Sequence, residues 1–214
     1  MSLAVTLFSY WRSTAAYRVR IALNLKGIEH SIVPVNLVAA EHRSGDYAER
    51  NPQRLVPYLE DGDFGVSQSQ AIIEYLDERY GGPRLYPQDA ETRARVRAFT
   101  EAIACDIHPL NNLRVLKYLK GPLGQNEDAV QDWYAHWIKE GFRGLEHLAG
   151  DGPCVFGDEV TAADVFLVPQ MFNARRFNVD VSAFPRLVKI DAHCMQLDAF
   201  AAAAPEQQID ATPA

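Results

Sequence analysis

The hydrophobic pattern of this chain changes character once, near Pro87, and that change rules out most architectures. Up to that point short apolar and β-branched runs alternate with glycine, proline and aspartate; beyond it, apolar residues recur at three- and four-residue spacing. Mixed strands and helices followed by helices alone imply an α/β domain and then an all-α domain, which excludes a single sandwich, barrel or bundle. The 214 residues accommodate two such domains, placed at 1–85 and 90–214 with a linker at 85–89.

In the first domain, Leu3 to Tyr10 reads as a core strand. Arg12-Ser13-Thr14-Ala15 interrupts it, and Tyr17 to Lys26 then sets Val19, Ala22 and Leu23 on one helical face before Gly27 stops the helix. Ser31 to Leu37 is a second β-branched run, so the segment forms a right-handed βαβ unit with a parallel pair, and Pro34 puts the second strand at an edge or a bulge. Val56 to Glu60, a turn at Asp61-Gly62-Asp63, and Phe64 to Ser67 read as an antiparallel hairpin. Gln68 and Ser69 open a helix with Ile72, Tyr75 and Leu76 on one face, ended by Gly81-Gly82-Pro83.

Beyond the linker, Ala90 to Leu119 reads as one long helix or two, broken at Pro109. Val130, Trp133, Trp137, Ile138, Phe142 and Leu145 mark another, and Thr161 with Asp164 before Val165 to Val168 forms a capping box. Ala201 to Ala214 has almost no side chain to bury beyond alanine and is expected to fray. The 21 basic and 28 acidic residues give a net charge of −7, most of it in the second domain, which argues against a nucleic-acid or anionic-membrane partner. No apolar run approaches the ~20 residues of a membrane helix. Cys105, Cys154 and Cys194 are too widely spaced for a CxxC pair or a zinc cluster and form no even-numbered disulfide framework, which fits a reducing, cytoplasmic compartment.

Three places carry chemistry. Ser13 and Thr14 stand where a strand hands over to a helix N-terminus, a setting that stabilises an anion and equally suits a plain N-cap. A thiol is only a few per cent ionised at neutral pH, and lowering its pKa by about two units takes roughly 2.7 kcal/mol, so such a terminus could hold a thiolate; no cysteine lies in this loop, so the sulfur would have to come from a cofactor. Val56-Pro57 either opens a strand with an ordinary trans bond or, if cis, turns the Val56 backbone outward to pair with an extended peptide. Gln68-Ser69 is a further helix N-terminus, suited to a carboxylate or explained by capping alone. Basic residues gather at Arg12, Arg18 and Arg20 and at Arg175-Arg176, either as solvated charges or as the grip on a small anion.

The run Arg12-Ser13-Thr14-Ala15-Ala16-Tyr17-Arg18-Val19-Arg20-Ile21-Ala22-Leu23 resembles the signature loop of the zeta-class glutathione transferases, the maleylacetoacetate isomerases. Asn51-Pro52 to Val56-Pro57 and Gln68-Ser69 to Leu76 follow at that family's spacing. So do Asp106 to Arg114, Gly157-Asp158 to Asp164, Val168-Pro169-Gln170 and Asn173 to Phe177. The resemblance covers all but the tail. It implies a thioredoxin-like N-terminal domain (βαβ-ββα) and a helical C-terminal domain, a homodimer, and glutathione as cofactor. In that reading Ser13 stabilises the glutathione thiolate, with Thr14 and Arg18 lining the sulfur. Val56, before a cis Pro57, pairs with the cysteinyl backbone, Gln68 and Ser69 take the γ-glutamyl carboxylate, and His42 meets the glycyl end. His108, Asn112, Leu113 and Arg114 line the cleft from the helical side, and Arg12, His108, Arg114 and Arg176 serve a small dicarboxylate-type substrate. Taken alone, His108 beside Pro109 is equally a satisfied histidine at a helix break.

Where the family loop commonly reads Ser-Ser-Cys, this chain has Ser13-Thr14-Ala15, which keeps a hydroxyl at Thr14 and loses the cysteine at Ala15. The implied activity is glutathione-dependent cis–trans isomerisation of maleylacetoacetate, with maleylpyruvate of gentisate breakdown as the neighbouring substrate. A transferase or dehalogenase that consumes glutathione, and a non-catalytic binding module, are the competing readings.

Overall fold

A computed structural model describes residues 5–43 and 45–212. Strand β1 (Val5–Ser9) leads through a turn to α1 (Thr14–Leu25), and β2 (His30–Pro34) follows; the expected strand start at Leu3 lies outside the described residues. Helix α1 ends as its sequence requires. Gly27 takes φ +62°, Ile28 N–H reaches back to the Leu23 carbonyl and Gly27 N–H to that of Asn24, the paired closure that a left-handed glycine permits. A 3-10 turn (Glu41–Arg43) and the short helix α2 (Gly45–Arg50), which the periodicity did not disclose, precede the hairpin β3 (Tyr58–Asp61) and β4 (Phe64–Ser67), then α3 (Ser69–Arg79).

The sheet order is β2-β1-β3-β4. β1 pairs parallel to β2, with Ser9 opposite Pro34, and antiparallel to β3, with Phe8 opposite Tyr58. Pro34 therefore ends an edge strand, the position that tolerates a missing N–H. The parallel pairing and the crossover through α1 agree with the βαβ expectation.

The helical part comprises α4 (Ala90–Glu101), a π-helical segment (Ala102–Ile107), α5 (Leu113–Lys120), α6 (Glu127–Leu148), α7 (Ala162–Arg176) and α8 (Pro185–Cys194). The break at Pro109 is present, and the π segment just before it had no sequence signature. Gly141 of α6 is required there: a Cβ would lie 2.3 Å from Ile107 Cδ1. The capping box at α7 is formed, with Asp164 accepting from Thr161 N–H at 2.8 Å and, from its other oxygen, Val155 N–H at 2.7 Å.

The described part of the tail does not fray. Residues 198–203 form α9 (Asp198–Ala203) and a 3-10 turn follows at Pro205–Gln207, with Phe200, Ala203 and Pro205 buried. Two compact units result: one joins the residues up to Leu85 with those from Gln196 onward, and the other is Tyr86–Met195. The expectation that the helical domain runs on to 214 is corrected by this packing. Alanines bury little area but let α9 approach α1 closely enough for its carbonyls to accept from Tyr17, Asn24 and Arg20.

Within the first unit a buried ion pair closes the far end of α1. Lys26 Nζ lies 3.1 Å from Asp77 Oδ1 of α3 and 3.1 Å from the Pro83 carbonyl, and the same Asp77 oxygen accepts from Leu85 N–H at 2.9 Å. Neither side chain is exposed by more than 3%. Asp77→Ala leaves an uncompensated ammonium and is expected to cost about 3–5 kcal/mol of unfolding free energy in urea titration. Lys26→Met with Asp77→Leu is expected to recover most of that loss.

Candidate active site

Sheet topology alone brings the first-unit candidates together. Because β1 and β2 run parallel and β3 antiparallel to β1, the C-terminal ends of β1, β2 and β4 and the N-terminal end of β3 share one edge of the sheet. Ser13 follows β1, His42 follows β2, Val56-Pro57 precedes β3, and Gln68-Ser69 follows β4.

Ser13 is the N-cap of α1. Its Oγ accepts from Ala16 N–H at 3.2 Å, and its carbonyl accepts from Tyr17 N–H at 2.8 Å. Capping uses a lone pair and leaves the hydroxyl proton to be donated, so the N-cap role and the anion-binding role coexist. Thr14 and Ala15 follow Ser13 as the first two residues of the helix. Ser13 thus supplies an O–H donor at the positive end of a twelve-residue helix.

Thr14 and Arg18 are placed differently from Ser13. They are 2% and 1% exposed. Arg18 Nη1 donates to Ser69 Oγ at 3.2 Å, so α1 and the start of α3 are joined beneath the surface. Arg20 is also buried and donates to Ser9 Oγ, the Trp11 carbonyl and the Ala203 carbonyl. The basic group near Ser13 therefore does not converge on one anion. Arg12 alone of the three is partly exposed, with its guanidinium 4.1 Å from the centroid of the Trp11 ring.

The Val56–Pro57 peptide is cis, as the resemblance implies. The ladders on both sides of β3 begin at Tyr58, so the Val56 backbone stands outside them. The Val56 side chain packs on Phe8, Val35 and Tyr47. Two residues hold this loop, Asn51 of the Asn51-Pro52 motif and Tyr47, which the sequence reading did not single out. Asn51, fully buried, donates from Nδ2 to the Leu55 carbonyl at 2.7 Å and accepts from Gln53 N–H at 3.1 Å; Tyr47 Oη donates to the same Leu55 carbonyl at 2.6 Å. Burial pushes the Tyr47 phenol up to about 12, which keeps it a donor.

Gln68, not Ser69, occupies the N-cap position of α3, and its side chain makes no capping bond. Its φ is +72°, a conformation that non-glycine residues adopt at a cost. Its Nε2 instead donates to Gln53 Oε1 at 2.7 Å, which also accepts from Ser67 Oγ at 3.4 Å. The plain serine cap is thereby excluded. The strained turn presents an exposed amide beside a helix N-terminus that Gln68 leaves uncapped. Gln53 lies one residue after the Asn51-Pro52 pair, which was its only sequence signal. His42 sits half-buried in the 3-10 turn, whose start is pinned by Asn36 Oδ1 accepting from Val38 and Ala39 N–H.

In the second unit, His108 follows the π segment and its N–H donates to the Ile103 carbonyl at 2.9 Å. Asn112 caps α5, accepting from Arg114 N–H at 3.1 Å, and Leu113 and Arg114 open that helix exposed. The connecting turn is tied to α6 by Trp133 Nε1 donating to the Leu110 carbonyl at 2.9 Å. The Arg175-Arg176 pair divides: Arg175 bonds the buried Asp191 of α8 at 2.5 Å, while the exposed Arg176 lies over Phe177, which stacks on Tyr134. Among the described residues no group of His, Cys, Asp and Glu is arranged to hold a metal ion, and no helix is long and apolar enough to cross a membrane.

The profile of the glutathione S-transferase N-terminal domain matches residues 3–78. The chain is 47% identical over 215 residues to the probable maleylacetoacetate isomerase of Vibrio cholerae serotype O1, covering 98% of this chain and 99% of that protein. Among solved structures, a holo maleylpyruvate isomerase, a bacterial zeta-class glutathione transferase, superposes with a TM-score of 0.94 at 45% identity, over 97% of this chain and 100% of the other. The maleylacetoacetate isomerase of Anaeromyxobacter dehalogenans 2CP-1, solved with dicarboxyethyl glutathione and citrate in its active site, gives 0.87 at 38% identity over 98% and 94%. The likeness runs through both units and is not confined to the widely shared first one, and on that ground the chain belongs to the zeta class of the glutathione transferases, the family of the maleylacetoacetate and maleylpyruvate isomerases.

Proposed function

We propose that this chain is a glutathione-dependent cis–trans isomerase that converts maleylacetoacetate to fumarylacetoacetate. The observation that carries the reading is Ser13: its lone pair caps α1 while its proton remains to be given to an anion at the same helix terminus. When bound, glutathione supplies a thiolate whose reversible addition to a C=C bond conjugated to a carbonyl turns that bond single, allows rotation, and returns the thiolate on elimination.

The residues present fit that cofactor. The Ser13 hydroxyl at the positive end of α1, beside Thr14, suits a sulfur anion, the Val56 backbone beside the cis proline suits an extended peptide, and Gln68 with the start of α3 suits a carboxylate. Arg18 holds Ser69 in place for that role. His42 is assigned to the glycyl end. His108, Asn112, Leu113 and Arg114 are assigned to the cofactor from the helical unit. Arg12, Arg114 and Arg176, all at least partly exposed, are assigned to the substrate carboxylates, with His108 beside them. The same reading carries a homodimer in the cytoplasm, and the free Cys105, Cys154 and Cys194 support a reducing compartment.

Maleylpyruvate is the second reading, favoured by the 0.94 TM-score of the maleylpyruvate isomerase. The two substrates share a maleyl end for the arginines to grip and differ at the other. Incubation of each cis acid with the protein and catalytic glutathione, followed by proton NMR and mass spectrometry, is expected to yield the trans acid with glutathione undiminished. A stable adduct formed with stoichiometric loss of glutathione would establish conjugation instead. Ser13→Ala removes a donor to the sulfur anion, so the bound thiol pKa is expected to rise by about one unit, a loss of thiolate that approaches roughly tenfold at pH values well below that pKa. Ultraviolet titration of the thiolate reads that shift, and the limb of the pH–rate profile moves to higher pH with it.

A further inference from the structure

The backbone of Trp11, two residues before Ser13, is held on both sides by groups tied to the C-terminal segment. Its N–H donates to Asp210 Oδ2 at 3.0 Å, and its carbonyl accepts from Arg20 Nη2 at 3.2 Å. Arg20 also donates through Nε to the Ala203 carbonyl at 2.9 Å and through Nη1 to Ser9 Oγ at 3.1 Å. Helix α9 is seated on one face of α1, where Tyr17 Oη donates to the Phe200 carbonyl at 3.4 Å and Asn24 Nδ2 to that of Ala199 at 3.0 Å. Gln208 Nε2 then bonds the Ala202 and Ala204 carbonyls, fixing the reversal that carries the chain back to Asp210. Burial lowers the Arg20 pKa to about 10, so it remains a cation at neutral pH, with Asp210 and Glu206 as the carboxylates that favour its charge.

Tyr10 to Ser13 is a tight turn closed by Ser13 N–H donating to the Tyr10 carbonyl at 2.8 Å, with Trp11 and Arg12 at its centre. Asp210 holds the N–H of the Tyr10–Trp11 peptide that enters the turn with a charge-assisted bond, Arg20 holds the carbonyl of the central Trp11–Arg12 peptide, and the orientation of these two peptides governs how the turn delivers Ser13. We propose that Asp210 is a positioning residue for Ser13, acting through the Trp11 N–H to fix the turn from which the serine hydroxyl is aimed. The proposal rests on the reading of Ser13 as donor to the thiolate. Positional errors of about 1 Å at a reacting group are enough to cost two orders of magnitude in rate, so a clamp on the preceding turn has catalytic consequence.

The sign of one titration separates positioning from electrostatics. Removing a negative charge near a thiolate favours it and lowers the thiol pKa, whereas loosening its donor raises it. In the full-length protein with glutathione bound, Asp210→Ala is expected to raise the thiol pKa by about half a unit or more, an approximately threefold loss of kcat/KM below that pKa. Asp210→Asn keeps an acceptor oxygen without the charge and is expected to leave the pKa at or below that of the unaltered protein. Asp210→Glu keeps the charge, displaces the oxygen by a methylene and is expected to raise the pKa; it supplies the same test where circular dichroism finds the alanine variant unfolded. A pKa that is unchanged or lowered in both Asp210→Ala and Asp210→Glu, with Ser13→Ala still raising it, overturns the clamp and leaves the role of Ser13 standing. An unchanged pKa in Ser13→Ala overturns both.

Discussion

Because β1 is paired on both edges, parallel to β2 and antiparallel to β3, the direction of every neighbouring strand is decided relative to it, and with that the address of every loop. A parallel β2 needs a crossover, which α1 supplies, and the crossover must begin at the end of β1 where Ser13 lies. An antiparallel β3 must enter the sheet at that same end, which brings Val56-Pro57 there, and a hairpin to β4 returns the chain to it at Gln68. The site is assembled by strand polarity before any side chain is considered. Side chains then hold what polarity delivers: Asn51 and Tyr47 on the loop before β3, Gln53 on Gln68, and Arg18 between the starts of α1 and α3.

The buried charges of the first unit divide the labour along α1. Lys26, at its C-terminal end, is a compact ammonium matched by one carboxylate and a carbonyl, and Asp77 completes the arrangement by accepting from Leu85 N–H. Arg20, nearer the N-terminal end, has a planar fork that serves three acceptors on three separate stretches of chain, Ser9, Trp11 and Ala203. No ammonium could span those directions with the same geometry. Burial costs each cation hydration, and each recovers it from fixed oxygens, so both act as rivets of the scaffold and neither is available as a ligand for substrate. That leaves Arg12, with its guanidinium over the Trp11 ring, as the partly exposed cation of this unit's signature loop.

Much of this was legible in the sequence, and the failures have identifiable causes. The βαβ and hairpin pattern, the stop at Gly27, the edge placement of Pro34 and the capping box of Thr161 and Asp164 are local, and local rules found them. The helix at Gly45–Arg50 is only six residues long and buries one side chain, Tyr47, too few for a period to register. The π segment before His108 ends at Ile107, whose side chain packs on Gly141, thirty-four positions away in sequence, and no local pattern discloses it. The tail was misread because apolar area was the criterion. Its attachment comes from backbone carbonyls accepting from Tyr17, Arg20 and Asn24, which share one face of α1. Similarly, Arg12, Arg18 and Arg20 look equivalent as a basic run, but Arg12 lies in the turn before α1, while Arg18 and Arg20 leave the helix on nearly opposite sides and are buried by different partners, Ser69 for one and Ser9, Trp11 and Ala203 for the other.

Ala15 bears on the chemistry through what it lacks. It stands at the second position of α1, in the first turn of the helix, and its side chain offers no donor, acceptor or nucleophile. A cysteine there would sit at the same positive helix end that Ser13 serves, and its own thiol would be acidified by it. Two thiolates sharing one helix terminus repel, so ionisation of either would raise the pKa of the other. With alanine the stabilising potential of the terminus and the Ser13 proton are committed to whichever anion arrives from outside. Because Ser13 meets the helix's demand for a cap with a lone pair, that commitment costs the fold nothing: α1 is capped before the anion binds, and binding uses a donor that folding left over.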